Sequence, residues 1–172
     1  MGLTHIIYGN GKGKTTSAVG CALRAKGSGM NVLFLSMMKD GTSSENALLE
    51  KCGITLLHCD KRYPFTFEMT SGQKAEQTAC HNEMLQKALR ACNNAQADML
   101  VIDEFFSAYE LDLCDKALAE KIVFEKPLSI ELVLTGHTVG EKFLAAADYL
   151  SFVENKKHPY EKGVPARKGI EF

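Results

Sequence analysis

The stretch IIYGNGKGKTTSAVG, residues 6–20, decides the predicted fold. The eight residues from Tyr8 to Thr15 have the phosphate-binding spacing of glycine, four residues, glycine, lysine and threonine, except that Tyr8 replaces the first glycine. The apolar, β-branched run Thr4 to Tyr8 precedes the loop, and the helix-forming segment Thr15 to Lys26 follows it. This order of strand, glycine-rich turn and helix predicts a nucleotide-binding loop.

The loop residues are expected to bind phosphate through both backbone and side chains. Glycines at three alternate positions let the backbone wrap closely, so that successive N–H groups and the positive end of the helix form an anion cradle. Lys14 is expected to bind phosphate oxygens, and Thr15 to offer its hydroxyl to Mg²⁺. The predicted nucleotide-binding residues are Gly9, Asn10, Gly11, Lys12, Gly13, Lys14, Thr15 and Thr16.

Two acids at the end of a later strand are the predicted partners of this loop. The continuous apolar run Met99 to Ile102 is followed directly by Asp103 and Glu104. A carboxylate after such a strand lies close to a phosphate-bound Mg²⁺ in ATP-using folds. The predicted metal ligands are therefore Thr15, Glu104 and Asp103. A glycine-rich turn that only joins a strand to a helix is the alternative, and the paired acids argue against it.

Apolar runs and helical segments alternate along the whole chain. Most of the runs are apolar on both faces, which predicts an α/β fold of the P-loop NTPase-like type, a mostly parallel sheet flanked by helices on both faces. The predicted strands are 4–8, 31–37, 54–58, 99–102, 129–134 and 149–153, and the predicted helices are 15–26, 45–52, 71–95, 113–123 and 140–147. We find no interdomain linker, so residues 1–172 are expected to form one domain with 155–172 as a polar C-terminal tail.

The composition limits the expected partners. A formal net charge of −1 argues against a nucleic-acid or membrane-surface binder, since such proteins carry a strong basic excess. No run approaches the roughly 20 apolar residues that span a bilayer, and no signal peptide is recognisable, so a cytoplasmic protein is expected. The six cysteines include no C-x-x-C pair, so we expect buried or half-buried thiols rather than a zinc site or a disulfide framework.

These residues leave the reaction open. A hydrolase needs a group that orients water against the terminal phosphate, and a kinase needs an acceptor site. No motif identifies either feature in this sequence.

The sequence resembles the ATP-dependent corrinoid (cob(I)alamin) adenosyltransferases along nearly its whole length. The wording of the loop, combined with the C-terminal motifs, makes the resemblance specific. The matching motifs, in chain order, are GNGKGKTT (9–16), FTF (65–67), VIDE (101–104), ELVLTG (131–136), AAD (146–148), KHPYEKG (157–163) and ARKGIEF (166–172).

This resemblance implies transfer of the 5′-deoxyadenosyl group of ATP to the cobalt of a reduced corrinoid, with release of triphosphate. In this family ATP is understood to lie in the loop in reversed direction, so that ribose C5′ is exposed to attack. Because cob(I) is itself a strong nucleophile, the protein has to position the substrates and neutralise charge. Lys12, Lys14, the loop amides and a Mg²⁺ held by Thr15 and Glu104 would stabilise the departing triphosphate, with Asp103 acting through water or orienting Glu104.

The resemblance also implies roles outside the loop. Phe65 and Phe67 would pack beneath the corrin and displace its lower axial ligand, which makes Co(II) easier to reduce; many relatives have tryptophan at the position of Phe67. The alternative for these residues is an aromatic loop that folds on itself. His137, where many members have arginine, is a possible triphosphate contact, against the alternative that it only ends a strand.

The expected substrates are ATP and a corrinoid, cobalamin or a precursor, in adenosylcobalamin synthesis or salvage. A reductant such as a flavoprotein and a second copy of the chain in a homodimer are the expected partners. Two alternatives remain at this stage. One is a P-loop NTPase or kinase that cleaves the terminal phosphate, and the other is a nucleotide and corrinoid carrier without turnover.

Overall fold

The computed structural model describes residues 1–171, which form six β-strands and six α-helices. The strands are β1 (Thr4–Tyr8), β2 (Val32–Ser36), β3 (Thr55–His58), β4 (Met99–Asp103), β5 (Glu131–Gly136) and β6 (Tyr149–Phe152). The helices are α1 (Lys14–Gly27), α2 (Asn46–Lys51), α3 (Ser71–Asn93), α4 (Phe105–Glu110), α5 (Lys116–Phe124) and α6 (Glu141–Ala146). Short 3₁₀ helices lie at Thr66–Glu68 and Pro159–Lys162.

The strands form one sheet in the order β3-β2-β4-β5-β1-β6, and every neighbouring pair is parallel. The register pairs Ser36 with Asp103 and Tyr8 with Gly136. The carboxyl ends of the central strands therefore lie along the same edge of the sheet, where ligands of open parallel sheets bind. The loops after β1, β2, β4 and β5 all begin at this edge.

Helices cover both faces of the sheet because successive strand residues point to opposite sides. On one face, strand residues such as Leu35 and Ile102 pack with α3, α4, α5 and α6. On the other face, Phe34 and Val101 pack against α1 and α2. The inner strands β2 and β4 are therefore buried at every position, and the predicted α/β fold is confirmed.

The observed elements differ from the predicted ones at a few boundaries and in one helix. The sequence patterns did not predict α4, which starts directly after β4 because Glu104 adopts a left-handed backbone with φ 58°. Helix α5 begins at Lys116 and not at Leu113, because Asp115 caps it by accepting the Leu118 N–H at 3.0 Å. Strand ends shift by up to two residues.

Helix α3 is the longest helix and is fixed at its N-terminus by a capping box. Thr70 accepts the N–H of Gln73, and the Gln73 side chain accepts the N–H of Thr70. One side of the helix is buried and includes Gln77 and His81, while the other side is solvated. Within residues 1–171, no helix combines the length and apolar content needed to cross a bilayer.

The structure corrects the expectation for two of the cysteines. Cys59, directly after β3, and Cys80, in α3, form a disulfide. Their sequence separation of 21 matches no recognisable motif, so only the packing of α3 against the end of β3 brings the sulfurs together. Cys92 and Cys114 are buried thiols, and burial raises the pKa of each to about 11.

Candidate active site

The predicted phosphate loop lies between β1 and α1, at the carboxyl edge of the sheet. Helix α1 begins at Lys14, and the first N–H groups of a helix have no acceptor within the helix. Gly13, just before it, has φ 117°, and a Cβ built there would meet nothing within 4 Å. The backbone at Gly13 thus opens onto free space at the positive end of α1, which suits an anion.

Other parts of the chain hold the first half of the loop. Gly9 N–H donates to the His137 carbonyl at 3.0 Å, and Gly11 N–H donates to the Val153 carbonyl at 2.8 Å. Lys12 N–H donates to Asn155 Oδ1 at 3.2 Å. These three amides donate to other parts of the protein in this structure, and the predicted binding of phosphate by the loop amides remains a prediction. The N–H groups best placed to bind an anion are therefore those at the start of α1.

Two glycines of the loop are required by the segment after β6. A Cβ at Gly9 would lie 2.3 Å from the Val153 carbonyl oxygen, and one at Gly11 would lie 2.8 Å from backbone atoms of Val153 and Glu154. Side chains at these positions would push the loop away from that segment. The glycine spacing therefore serves loop packing as well as phosphate access.

The polar side chains of the loop differ in exposure. Lys14 is buried, and its ammonium donates to the Gly11 carbonyl at 2.9 Å, so the side chain folds over the loop. Lys12 and Thr16 are exposed. Asn10 is also exposed, and its backbone carbonyl accepts from Asn155 Nδ2 at 3.1 Å. The predicted phosphate-binding lysines therefore differ, one held within the loop and the other in solvent.

Asp103 is the centre of a buried polar network next to the loop. Its Oδ1 accepts the hydroxyls of Thr135 at 2.7 Å and Thr15 at 3.0 Å. Its Oδ2 accepts from the Lys39 ammonium at 2.7 Å. Asp103 has no exposed surface, and Lys39 supplies the opposite charge that a buried carboxylate requires.

The same network acts on Lys39. Burial by itself would lower the pKa of the Lys39 ammonium, but the charge of Asp103 and the hydrogen bond to it together raise that pKa above its ordinary value. Lys39 consequently stays protonated at neutral pH. The sequence patterns missed Lys39, which belongs to no recognisable motif, and gave no role to Thr135, although it lies within the motif 131–136.

The predicted metal ligands are brought together in part. The hydroxyl proton of Thr15 is directed at Asp103, which leaves the lone pairs of Thr15 for another partner. Glu104 follows Asp103, but its carboxylate accepts from the Ser107 hydroxyl, and its N–H donates to Thr135 at 2.9 Å. Hydroxyl and carboxylate oxygens fit a hard cation such as Mg²⁺. With Asp103 already engaged by three donors, its contact to a metal fits best through water.

His137 lies directly after β5, beside the loop, with an exposed side chain. Its backbone carbonyl accepts from Gly9, so the structure ties this residue to the loop through the main chain. The role of its imidazole as a phosphate contact remains a prediction.

The predicted corrin-facing aromatics are the most exposed phenylalanines of the site. Phe65 is 73% exposed and Phe67 is 83% exposed. Their rings stack with centroids 5.7 Å apart and planes 3° apart. An aromatic loop that folds under itself would bury these rings, so the exposure argues against that alternative.

A cavity of about 1250 Å³ joins the loop to the aromatic segment. It is lined by Thr15 and Thr16, by Lys39, by residues 61–66 and by residues 168–171 of the tail. Phe65 lines the cavity. Phe67 does not line it, but its ring stacks on that of Phe65. The volume is large for a nucleotide pocket and leaves room for a second, larger ligand.

Comparisons with known proteins identify the family. The family model described as ATP:corrinoid adenosyltransferase BtuR/CobO/CobP matches residues 1–172. The chain belongs to this family. Among its relatives is the corrinoid adenosyltransferase of Escherichia coli strain K12, 31% identical over 99% of this chain and 86% of the relative. The corrinoid adenosyltransferase CobA of Salmonella typhimurium strain LT2 is 32% identical over the same shares.

A third corrinoid adenosyltransferase, from Sinorhizobium sp, is 30% identical over 99% of this chain and 80% of the relative. Membership in the corrinoid adenosyltransferase family confirms the predicted resemblance and favours it over an NTPase or kinase that cleaves the terminal phosphate. The match covers the loop, the paired acids and the tail, so it does not rest on the loop alone.

Proposed function

We propose that this protein transfers the 5′-deoxyadenosyl group of ATP to the cobalt of a reduced cob(I) corrinoid and releases triphosphate, in adenosylcobalamin synthesis or salvage. The observation that carries the proposal is the shared cavity. Thr15 and Thr16 of the phosphate loop and Phe65 of the aromatic segment line the same space, so a nucleotide and a flat macrocycle could meet there.

The reaction needs no nucleophile from the protein. The electron pair of the reduced cobalt attacks ribose C5′ and forms the cobalt–carbon bond. The C5′–O bond breaks, and its electron pair leaves with the triphosphate. The protein must hold the two substrates in line and stabilise the negative charge that builds on the leaving group.

The phosphate loop is the proposed triphosphate site. The first amides of α1, the ammonium of Lys14 and the exposed ammonium of Lys12 would contact the phosphate oxygens. The Lys14 ammonium lies against the loop backbone at Gly11 and would exchange that carbonyl for phosphate oxygens. His137 would add a partly protonated contact from the end of β5.

Mg²⁺ would be held by Thr15 and Glu104, with Asp103 acting through water. When bound, the ion would supply positive charge beside the triphosphate. The orientation of the Thr15 hydroxyl by Asp103 supports this assignment. Glu104 would have to exchange its hydrogen bond to Ser107 for the ion.

Phe65 and Phe67 would lie beneath the corrin and exclude its lower axial ligand. Their exposure supports this role, because a large exposed aromatic pair gains favourable free energy by covering an apolar ligand face. Loss of an axial donor makes Co(II) easier to reduce, and a flavoprotein is the proposed class of reductant.

We also infer a cytoplasmic enzyme that works as a homodimer. The edge strand β6 supports a dimer, since it exposes Tyr149, Leu150 and Phe152 on a sheet edge that carries no further strand within residues 1–171. Light scattering after size exclusion would test the dimer, and a mass of 18.9 kDa would contradict it.

Product analysis tests the main proposal. The purified protein is incubated with ATP, Mg²⁺ and chemically reduced cobalamin, while the corrinoid spectrum and the phosphate products are followed. An adenosylated corrinoid and one triphosphate per turnover are expected. ADP and phosphate with no change in the corrinoid would instead indicate an NTPase, and tight binding of both ligands without a cobalt–carbon bond would indicate a carrier.

Two variants test the assigned residues. Lys14→Ala should abolish adenosyl transfer with little change in the thermal unfolding midpoint, and unchanged activity would remove Lys14 from the site.

Phe67→Ala should reduce turnover from Co(II) much more than turnover from supplied cob(I), which serves as the internal control. Equal losses by both routes would leave Phe67 with a packing role only.

A further inference from the structure

Lys39 is a charged residue of the site that no motif identified. It follows β2, and its ammonium lies 2.7 Å from Asp103 Oδ2 and 3.8 Å from Glu45 Oε1. Its side chain is 26% exposed and lines the cavity together with Thr15 and Thr16. Lys39 therefore reaches from the buried carboxylate to the space where the substrates are proposed to bind.

The backbone before Lys39 is held in an unusual conformation. Met38 has φ 61°, which is rare for a residue with a long side chain. The Met37 N–H donates to the Asp103 carbonyl at 3.1 Å, and the Met38 N–H donates to His81 Nε2 at 3.3 Å. Two hydrogen bonds, one to β4 and one to α3, therefore fix the turn that directs Lys39 towards Asp103.

His81 has a defined tautomer in this arrangement. Its Nε2 accepts from Met38, so its Nδ1 carries the proton and donates to the Leu113 carbonyl at 2.8 Å. A buried imidazole that is fully hydrogen-bonded forms a rigid support. Strain that the surroundings maintain in this way is typical of functional sites.

The position of the ammonium relative to the loop suggests its ligand. Lys39 Nζ and Thr15 Oγ1 both contact the same oxygen, Asp103 Oδ2, at 2.7 and 3.1 Å. The ammonium is therefore adjacent to the loop residue that faces the proposed triphosphate. A lysine has three N–H donors, and Asp103 takes one of them at short range. Glu45 Oε1, at 3.8 Å, is too distant for a hydrogen bond, so within residues 1–171 the ammonium makes one hydrogen bond, and its other N–H groups could donate to an anion in the cavity.

We propose that Lys39 is a third lysine of the triphosphate site, held in place by Asp103 and contributing a charge-assisted hydrogen bond to the triphosphate group of the nucleotide. This inference rests on the proposed function, because it takes the leaving group to be intact triphosphate. Asp103 acts in it as a positioning residue. Its carboxylate orients the ammonium, and Thr15 and Thr135 in turn orient the carboxylate.

The test measures binding of inorganic triphosphate and of ATP by calorimetry, without corrinoid. Lys39→Ala and Lys39→Met should each weaken triphosphate binding by about tenfold to a hundredfold, the usual effect of losing a hydrogen bond from a charged donor. Lys39→Arg keeps the charge and should retain most of the affinity. Lys51→Ala removes an exposed lysine from the end of α2 and should bind as the wild type does.

Thermal unfolding of every variant shows which ones are folded. If Lys39→Ala is unfolded, Lys39→Met, which keeps the apolar stem of the side chain, provides the test. A folded, uncharged variant that binds triphosphate as tightly as the wild type would overturn the proposal and leave Lys39 as a counter-charge for Asp103. The binding assay is independent of turnover. If the wild type formed no adenosylated corrinoid, the proposed function would fail while the triphosphate affinities still decided the role of Lys39.

Discussion

The buried hydroxyl of Thr135 offers a direct test of the network around Asp103. It donates to Asp103 Oδ1 at 2.7 Å and accepts the Glu104 N–H at 2.9 Å, so it joins the two consecutive acids at the end of β4. Thr135→Val removes this oxygen but preserves the branched shape of the side chain. The valine methyl group would fill the space of the hydroxyl without making either hydrogen bond.

The two lost contacts determine the expected magnitude. A hydrogen bond to a charged acceptor contributes about 1.5 to 3 kcal/mol, and a partly buried N–H left without an acceptor costs about 1 kcal/mol. We therefore expect Thr135→Val to lower the free energy of unfolding by about 3 kcal/mol. The change should also weaken triphosphate binding, because Asp103 would no longer be fixed in its orientation.

Urea unfolding followed by circular dichroism measures this difference. Thr55→Val is the matched control, since Thr55 is an exposed residue of β3 and the same substitution there should change stability by less than about 0.5 kcal/mol. If the two variants had the same unfolding free energy, the Thr135 hydroxyl would make no net contribution, and our account of the network would be wrong.

Three other features of the structure lead to measurable effects. Cys80→Ser should lower the unfolding free energy by about 3 kcal/mol, because the bond to Cys59 restricts the unfolded chain. Reduction of the wild type should have the same effect, and equal stability before and after reduction would argue against the crosslink. Burial lowers the pKa of His81 despite its hydrogen bond to Leu113, so the free energy of unfolding should fall below about pH 6.5 by up to about 1.4 kcal/mol per pH unit. The same fall in His81→Gln would show that His81 is not its cause. Gly11→Ala should destabilise by about 1 to 3 kcal/mol through contact with Val153, whereas Gly20→Ala, in open space on α1, should stabilise by up to about 1 kcal/mol; equal melting temperatures would contradict the packing argument.

The sign of the His81 prediction follows from the depressed pKa. The folded state resists protonation of the buried ring, whereas the unfolded chain accepts a proton near pH 6.5. Between these two pKa values the unfolded state binds more protons, so acid favours unfolding. Above the unfolded pKa the ring is neutral in both states, and this contribution to stability is fully present.

Much of the fold follows from local sequence patterns. The apolar runs gave the strands of the sheet to within two residues, and the reason is clearest for β2 and β4, which are buried at every position and must therefore be apolar on both faces. The helix α4 was not predicted, because its start depends on the left-handed backbone of Glu104 and not on a capping side chain. The Glu104 N–H donates to Thr135 of β5, a contact between residues distant in the chain that leaves no clear signal in composition.

The candidate site was predicted unevenly for a similar reason. The loop, the paired acids and the aromatic segment are short motifs whose residues lie close together in the sequence. Lys39 and Asn155 belong to no motif, and Thr135 lies in one that named no role for it. Each acquires its role from a residue far away in the chain, such as Asp103 or Lys12. A pattern of local spacing cannot reveal contacts of this kind.

The sequence by itself predicted the α/β fold and the loop after β1, because periodicity and motif spacing are local properties of the chain, and its motifs carried the resemblance to the family. It left Tyr8, in place of the usual glycine, without an explanation. In the structure Tyr8 is the last residue of β1, and its ring packs against Phe152 of β6 at 5.1 Å. Tyr8 thus packs β1 against the edge strand β6, while the segment after β6 holds the loop through hydrogen bonds.

Only the tertiary structure decided how the loop is held and how Asp103 is neutralised. Parallel pairing brings the ends of β1, β2, β4 and β5 to one edge, so residues far apart in the chain meet around one carboxylate. Burial then makes each partner necessary, because an uncompensated charge in the interior is costly. That requirement selects Lys39 and Thr135 as partners of Asp103, and it acts only once the chain has folded.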